Sequence, residues 1–145
     1  LYQNTLQRID DSYKLSVYND KLTAKGVVEA TAKIKKAFPA LTPEFYDVLL
    51  DMIKEEGFTD NRFIDAVNSV IKNCEYPSPT VAKFLSFDKS IKLYTYTDMI
   101  KMTGIDRKAF DKHRPVIIPG TKEKLWCHLA DIERYNLEQY VPNKH

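Results

Sequence analysis

The stretch from residue 94 to residue 135, YTYTDMIKMTGIDRKAFDKHRPVIIPGTKEKLWCHLADIERY, constrains this chain's fold most, because caps, prolines and glycines punctuate it at short intervals. Thr95 is placed to cap a helix starting at Tyr96, with Asp98 three residues on as its reciprocal partner. Met99, Ile100 and Met102 give that helix apolar residues, and Gly104 closes it. The turn Gly104-Ile105-Asp106 supplies a glycine expected to take left-handed geometry, an apolar anchor in Ile105 and a cap in Asp106. A second helix is predicted over Arg107 to Arg114, ended by Pro115, whose ring disfavours helical geometry at the residue before it. Val116-Ile117-Ile118 is β-branched throughout, Pro119-Gly120-Thr121-Lys122 is turn chemistry, and Lys124-Leu125-Trp126-Cys127 reads as a returning strand. Leu129 to Tyr135 has the spacing of a closing helix. Helix, tight turn, helix, hairpin and helix is the order of a winged helix-turn-helix.

Charge follows this motif. The chain has 22 Lys and Arg against 20 Asp and Glu, a net charge of +2. Residues 89–128 hold 9 basic against 4 acidic side chains, whereas residues 1–88 hold 11 against 13. A basic surplus on a predicted groove-reading motif is what a phosphate-binding face requires. A lysine-rich surface that merely solubilises is the plainer alternative.

The preceding half reads as helical. Leu1 to Val17 shows no clear period and is compatible with an arm, a leader or a first helix. A helix is predicted from Asn19 or Asp20 through Ala37, weakened by Gly26 and ended by Pro39. Thr42-Pro43 opens another, with Phe45, Val48, Leu49, Met52 and Ile53 as its apolar stripe and Gly57 as its stop. Phe58 is placed to fold back after that glycine, and Thr59 or Asp60 to cap a third helix through Phe63, Ala66, Val67, Val70, Ile71 and Cys74. This pair is expected as an antiparallel hairpin. Ser78-Pro79 repeats the cap-then-proline device before a short helix containing Val81, Phe84 and Leu85. The expected fold is therefore mainly α: a helical bundle over residues 1–88, then a winged helix-turn-helix-like domain with a small hairpin over residues 89–145.

Two resemblances attach to these residues. Tyr94 and Thr95, Thr103 to Arg107, Pro119 and Gly120, Leu125 and Trp126, and Asp131 to Tyr135 resemble the excisionase and MerR-type winged helix-turn-helix. That likeness implies duplex DNA contacted by the second helix. The chain departs from the pattern at its wing, which is shorter and carries Glu123. Phe38, Pro39, Val48, Phe63, Ala66, Val67, Tyr76, Pro77, Pro79, Thr80 and Val81 are similar to the helical domain of phage replisome organisers and helicase loader-inhibitors, although most are core or capping types. Together the two imply a phage or mobile-element accessory protein of replication or recombination, with DNA and a protein such as a replicative helicase as partners.

An enzyme is not expected. The four glycines, at 26, 57, 104 and 120, are too scattered for a phosphate loop, and no hydrolase or kinase signature is present. Adjacent carboxylates such as Asp10-Asp11 and Glu55-Glu56 face different ways on a helix. His113, His128 and His145 lack a nucleophile at recognisable spacing. Cys74 and Cys127 form no CxxC unit, so neither a disulfide framework nor a metal is expected, and Cys127 beside His128 reads as a buried thiol next to a rim histidine. No cofactor is implied. With no apolar run long enough to span a membrane, a cytoplasmic protein is expected; the start at Leu1 reads as a trimmed chain or fragment.

The candidate DNA-binding residues are Arg107, Lys108, Lys112 and Arg114 on the second helix, with Lys122 and Lys124 on the hairpin as phosphate contacts. Ala109 and Phe110 are expected in the core, Asp111 and His113 outward. Trp126 is a core plug before it is a base-stacking residue, while Tyr94 and Tyr96 are stacking candidates or ordinary exposed tyrosines. The competing reading is an adaptor in which the bundle docks a protein and the winged motif is structural.

Overall fold

The computed structural model describes residues 3–9, 12–75 and 77–142. The chain divides into two compact units, one built on Tyr18–Lys89 and the other on Asn4–Val17 with residues 90–142. Expectations that touch Leu1, Asp10, Asp11, Tyr76 and His145 lie outside the described residues.

Threonine caps set the helices of the first unit. Thr23, Thr42 and Thr59 each accept a backbone N–H from three residues on, opening α1 (Ala24–Ala37), α2 (Pro43–Glu55) and α3 (Asp60–Asn73). Gly57 adopts a positive φ of 72°, and the Phe58 N–H reaches back to the Ile53 carbonyl at 3.1 Å, so α2 ends in a Schellman turn that buries Phe58. The last helix, α4 (Val81–Leu85), starts two residues later than Ser78-Pro79 predicts, after an extended Thr80.

Two details of the bundle differ from the sequence reading. The buried face of α2 is Tyr46, Leu49 and Ile53; Val48 is 53% exposed. The expected α2–α3 hairpin is not the main contact, since α3 packs chiefly on α1. A carboxylate explains this: Asp60 accepts the Thr23 N–H at 2.8 Å and the Thr23 hydroxyl at 2.6 Å, tying together the starts of α1 and α3. Ile34, Leu49, Ile53, Phe63 and Phe84 form the fully buried centre, each contributing about 1.5–3 kcal/mol by burial.

The first residues are strands rather than part of the bundle. β1 (Leu6–Ile9) pairs antiparallel with β2 (Ser12–Ser16), and β2 pairs antiparallel with β3 (Ser90–Leu93). Alternation in β2 and β3 buries Tyr13, Leu15, Ile91 and Leu93 on one side and leaves Lys14 and Lys92 exposed on the other. Asn4 anchors this sheet: the Tyr140 hydroxyl accepts its N–H at 2.8 Å and donates to its Oδ1 at 2.9 Å.

Beyond β3 come α5 (Tyr96–Thr103), a 3₁₀ turn (Ala109–Lys112), β4 (His113–Val116), β5 (Leu125–His128) and α6 (Leu129–Arg134). β4 and β5 form a hairpin paired from His113–His128 to Val116–Leu125, so its first strand is His113–Val116 rather than the expected Val116-Ile117-Ile118. Trp126 exchanges both backbone hydrogen bonds with Tyr94, at 2.7 and 2.9 Å, which brings β5 alongside β3. Trp126 therefore gives no backbone group to Pro115 opposite it, and the missing proline N–H costs nothing there. Helix outweighs strand, 49% to 16%, so mainly α holds at that level, with a β N-terminus as the correction. No helix among the described residues is long and apolar enough to cross a membrane.

Candidate nucleic-acid interface

The first helix of the predicted motif forms as its residues dictate. Thr95 accepts the Asp98 N–H at 3.2 Å while Asp98 accepts the Thr95 N–H at 3.1 Å, a complete capping box. Met99 is fully buried against Ala109 and Trp126, with Tyr94, Met102 and Phe110 around them.

The second helix does not form. Residues expected over Arg107–Arg114 contain only the 3₁₀ turn Ala109–Lys112, and His113 and Arg114 already belong to β4. The physical reason is a set of local bonds that compete with a helix. Asp106 accepts the Lys108 N–H at 3.0 Å and the Lys112 ammonium at 2.7 Å, closing the segment on itself. The Ala109 carbonyl, which an α-helix would give to the His113 backbone, accepts instead from His113 Nδ1 at 2.7 Å. Strand pairing of His113 and Arg114 with β5 removes the remaining residues. Ile105 is no anchor: it is 94% exposed. Of the flanking expectations, Ala109 is buried and Phe110 half-buried, while His113 is buried rather than outward.

The six candidate cations separate into two groups. Lys112 is engaged with Asp106, whose exposed carboxyl is held below its ordinary range chiefly by that hydrogen bond, and Arg114 lies 3.5 Å from Glu138. Arg107, Lys108 and Lys122 are exposed and make no ion pair among the described residues, and the Lys124 ammonium sits 5.3 Å from the centre of the Trp126 ring. Glu123 is drawn away from its lysine neighbours, accepting the Tyr13 hydroxyl at 2.6 Å. That bond is the main cause of the upward shift of the Tyr13 phenol.

Lys14 and Lys92 went unrecognised in the sequence. They stand directly opposite each other on β2 and β3, and the Lys92 ammonium lies 5.3 Å from the Tyr94 ring centre. The available signal was alternation, Tyr13-Lys14-Leu15 and Ile91-Lys92-Leu93, in runs too short to be decisive.

Metal chemistry has little to work with. Among the described residues no three His, Cys, Asp or Glu side chains group as a metal site. Cys127 and His128 are consecutive on β5 and point to opposite faces; burial pushes the Cys127 thiol up to about 12, so it remains protonated. The His113 and His128 rings meet edge to face at 5.0 Å.

Comparison with models of known protein families, with curated proteins and with solved structures gives no match. The functional reading therefore rests on the residues and their geometry.

Proposed function

We propose that this chain is a non-enzymatic DNA-binding accessory protein of phage or mobile-element type, acting in replication or recombination through its C-terminal unit. The observation that carries the reading is the set of exposed cations at Arg107, Lys108 and Lys122 that make no ion pair among the described residues, joined by Lys124, in the segment where the basic surplus is concentrated. Cations left in water at no stabilising contact remain available to phosphates. Lys112 and Arg114 would have to leave Asp106 and Glu138 first and contribute less. With no second α-helix to enter a groove, contact is made by the 105–108 turn and the hairpin loop, and backbone phosphates dominate it. The helical unit would take a protein such as a replicative helicase; an apolar pocket of about 480 Å³ beside Phe38, Leu41, Pro43 and Tyr46 supports that half of the reading.

Fluorescence anisotropy of labelled DNA across a salt series tests the DNA half. Binding should fall steeply with salt, and Arg107→Ala/Lys108→Ala/Lys122→Ala should flatten the salt dependence by about 0.7–0.9 for each phosphate that is no longer neutralised. Absence of binding to any DNA at low salt would sink the proposal and favour the adaptor reading.

A further inference from the structure

The side of the sheet opposite the main core of the C-terminal unit is packed against α5 around Trp126 and open to water at Lys14 and Lys92. Lys14 and Lys92 share that side with Gln7, Ser12, Ser16 and Ser90, and no described strand position on it is a carboxylate. Lys14 and Lys92 are Cα partners in an antiparallel ladder, exposed, with no ion pair among the described residues. Like charges directly opposite each other on a sheet are destabilising, so the pair weakens the fold unless an anion occupies the face. Along the same side, Lys92 leads to Tyr94, Tyr94 pairs with Trp126, and Trp126 is flanked by Lys124. Beside Trp126 stands Tyr96 at the start of α5, 59% exposed. Its ring is braced by Trp126 at 5.9 Å and Phe110 at 6.2 Å, tilted 48° and 43° to them. One edge of the ring is fixed in an aromatic cluster while much of its surface faces water.

Lysines along a strand face, interleaved with a held but exposed aromatic ring, are the two components of a surface for unpaired nucleotides. The backbone tracks the cations and a base stacks on the ring, a contact open only to a base outside a duplex. We infer that this face binds single-stranded nucleic acid, with Lys14, Lys92 and Lys124 neutralising phosphates and Tyr96 stacking a base. The inference rests on the DNA-binding reading and supplies its strand class and a surface distinct from the 105–108 turn.

The test compares labelled oligothymidylate and a duplex of mixed sequence as anisotropy probes for the full chain, for Lys14→Gln/Lys92→Gln and for Tyr96→Leu. Removing the opposed lysines relieves repulsion, so that variant should be at least as stable as the parent, and thermal unfolding checks this. Preference for the single strand, a salt slope lower by about 1.4 in the lysine variant, and roughly tenfold weaker binding in Tyr96→Leu are expected. Full single-strand binding by both folded variants would overturn the inference while leaving the DNA reading intact, as would a preference for duplex lost only on changing Arg107 and Lys108. Failure of the parent chain to bind either probe would overturn both.

Discussion

Gly26 illustrates how one residue answers to its neighbours rather than to its own helix. By propensity it is a flaw in α1, and alanine there would add about 1 kcal/mol. A Cβ at Gly26, however, would overlap the Asp60 carboxylate that holds Thr23. Gly26→Ala should therefore lower stability by about 1–3 kcal/mol in urea unfolding. In an Asp60→Ala background the same substitution should become neutral or stabilising, and a double-mutant cycle measures the coupling. Simple additivity would disprove the clash. The glycine was visible in the sequence, but its reason was not, because Asp60 is far along the chain and approaches only after α3 has packed on α1.

Among elements, the clearest contrast is between α5 and the turn that follows it. The Thr95–Asp98 box acts within one helical turn, so its sequence signature and its structure agree. Residues 107–114 carry comparable helical signals, yet the Asp106–Lys112 pair closes the turn, the His113 ring takes the Ala109 carbonyl and β5 takes His113 and Arg114. Of these, the Asp106–Lys112 pair responds to pH. Asp106 has a depressed folded-state pKa, so its contribution is present above the unfolded carboxyl value and is lost as pH falls through the folded one. Asp106→Asn keeps an acceptor for Lys108 but not the charge. It should be slightly less stable than the parent at neutral pH, with the difference closing below about pH 4. A difference that does not shrink as pH falls would count against the ion pair as its source. The same comparison in β2 and β3 explains why these strands escaped recognition: a short alternating run stabilises nothing until a partner strand lies beside it.

At the scale of the molecule, the chain leaves the β-containing unit after Val17 and re-enters it at Ser90. Ser16 and Ser90 are Cα partners, so the helical unit is an insertion whose ends emerge from adjacent strands. The expected division, with residues 89–145 standing alone, omits β1 and β2. A fragment of residues 89–145 would expose Ile91 and Leu93 and lose the Asn4–Tyr140 tie, and it should show no dispersed amide spectrum. Residues 3–17 joined to 90–145 by a short glycine-serine linker should fold, since the linker replaces an insertion between neighbouring strand ends. A well-dispersed spectrum from the shorter fragment would show that β1 and β2 are dispensable.

Sequence alone determined several helix ends and one helix face: Thr42, Thr59 and Thr95 as caps, Gly57 with Phe58 as a stop, and the apolar face of α3; α1, expected from Asn19 or Asp20, instead starts after Thr23. It also located the returning strand of the hairpin and the basic surplus around it. These signals act between residues a few positions apart and need no tertiary partner. Tertiary structure decided that the N-terminus pairs with β3, that α3 packs on α1, that the second helix yields to a strand, and which lysines share a face. Each of those outcomes depends on contacts between residues distant in the chain, whose free energy appears only when the fold has brought them together.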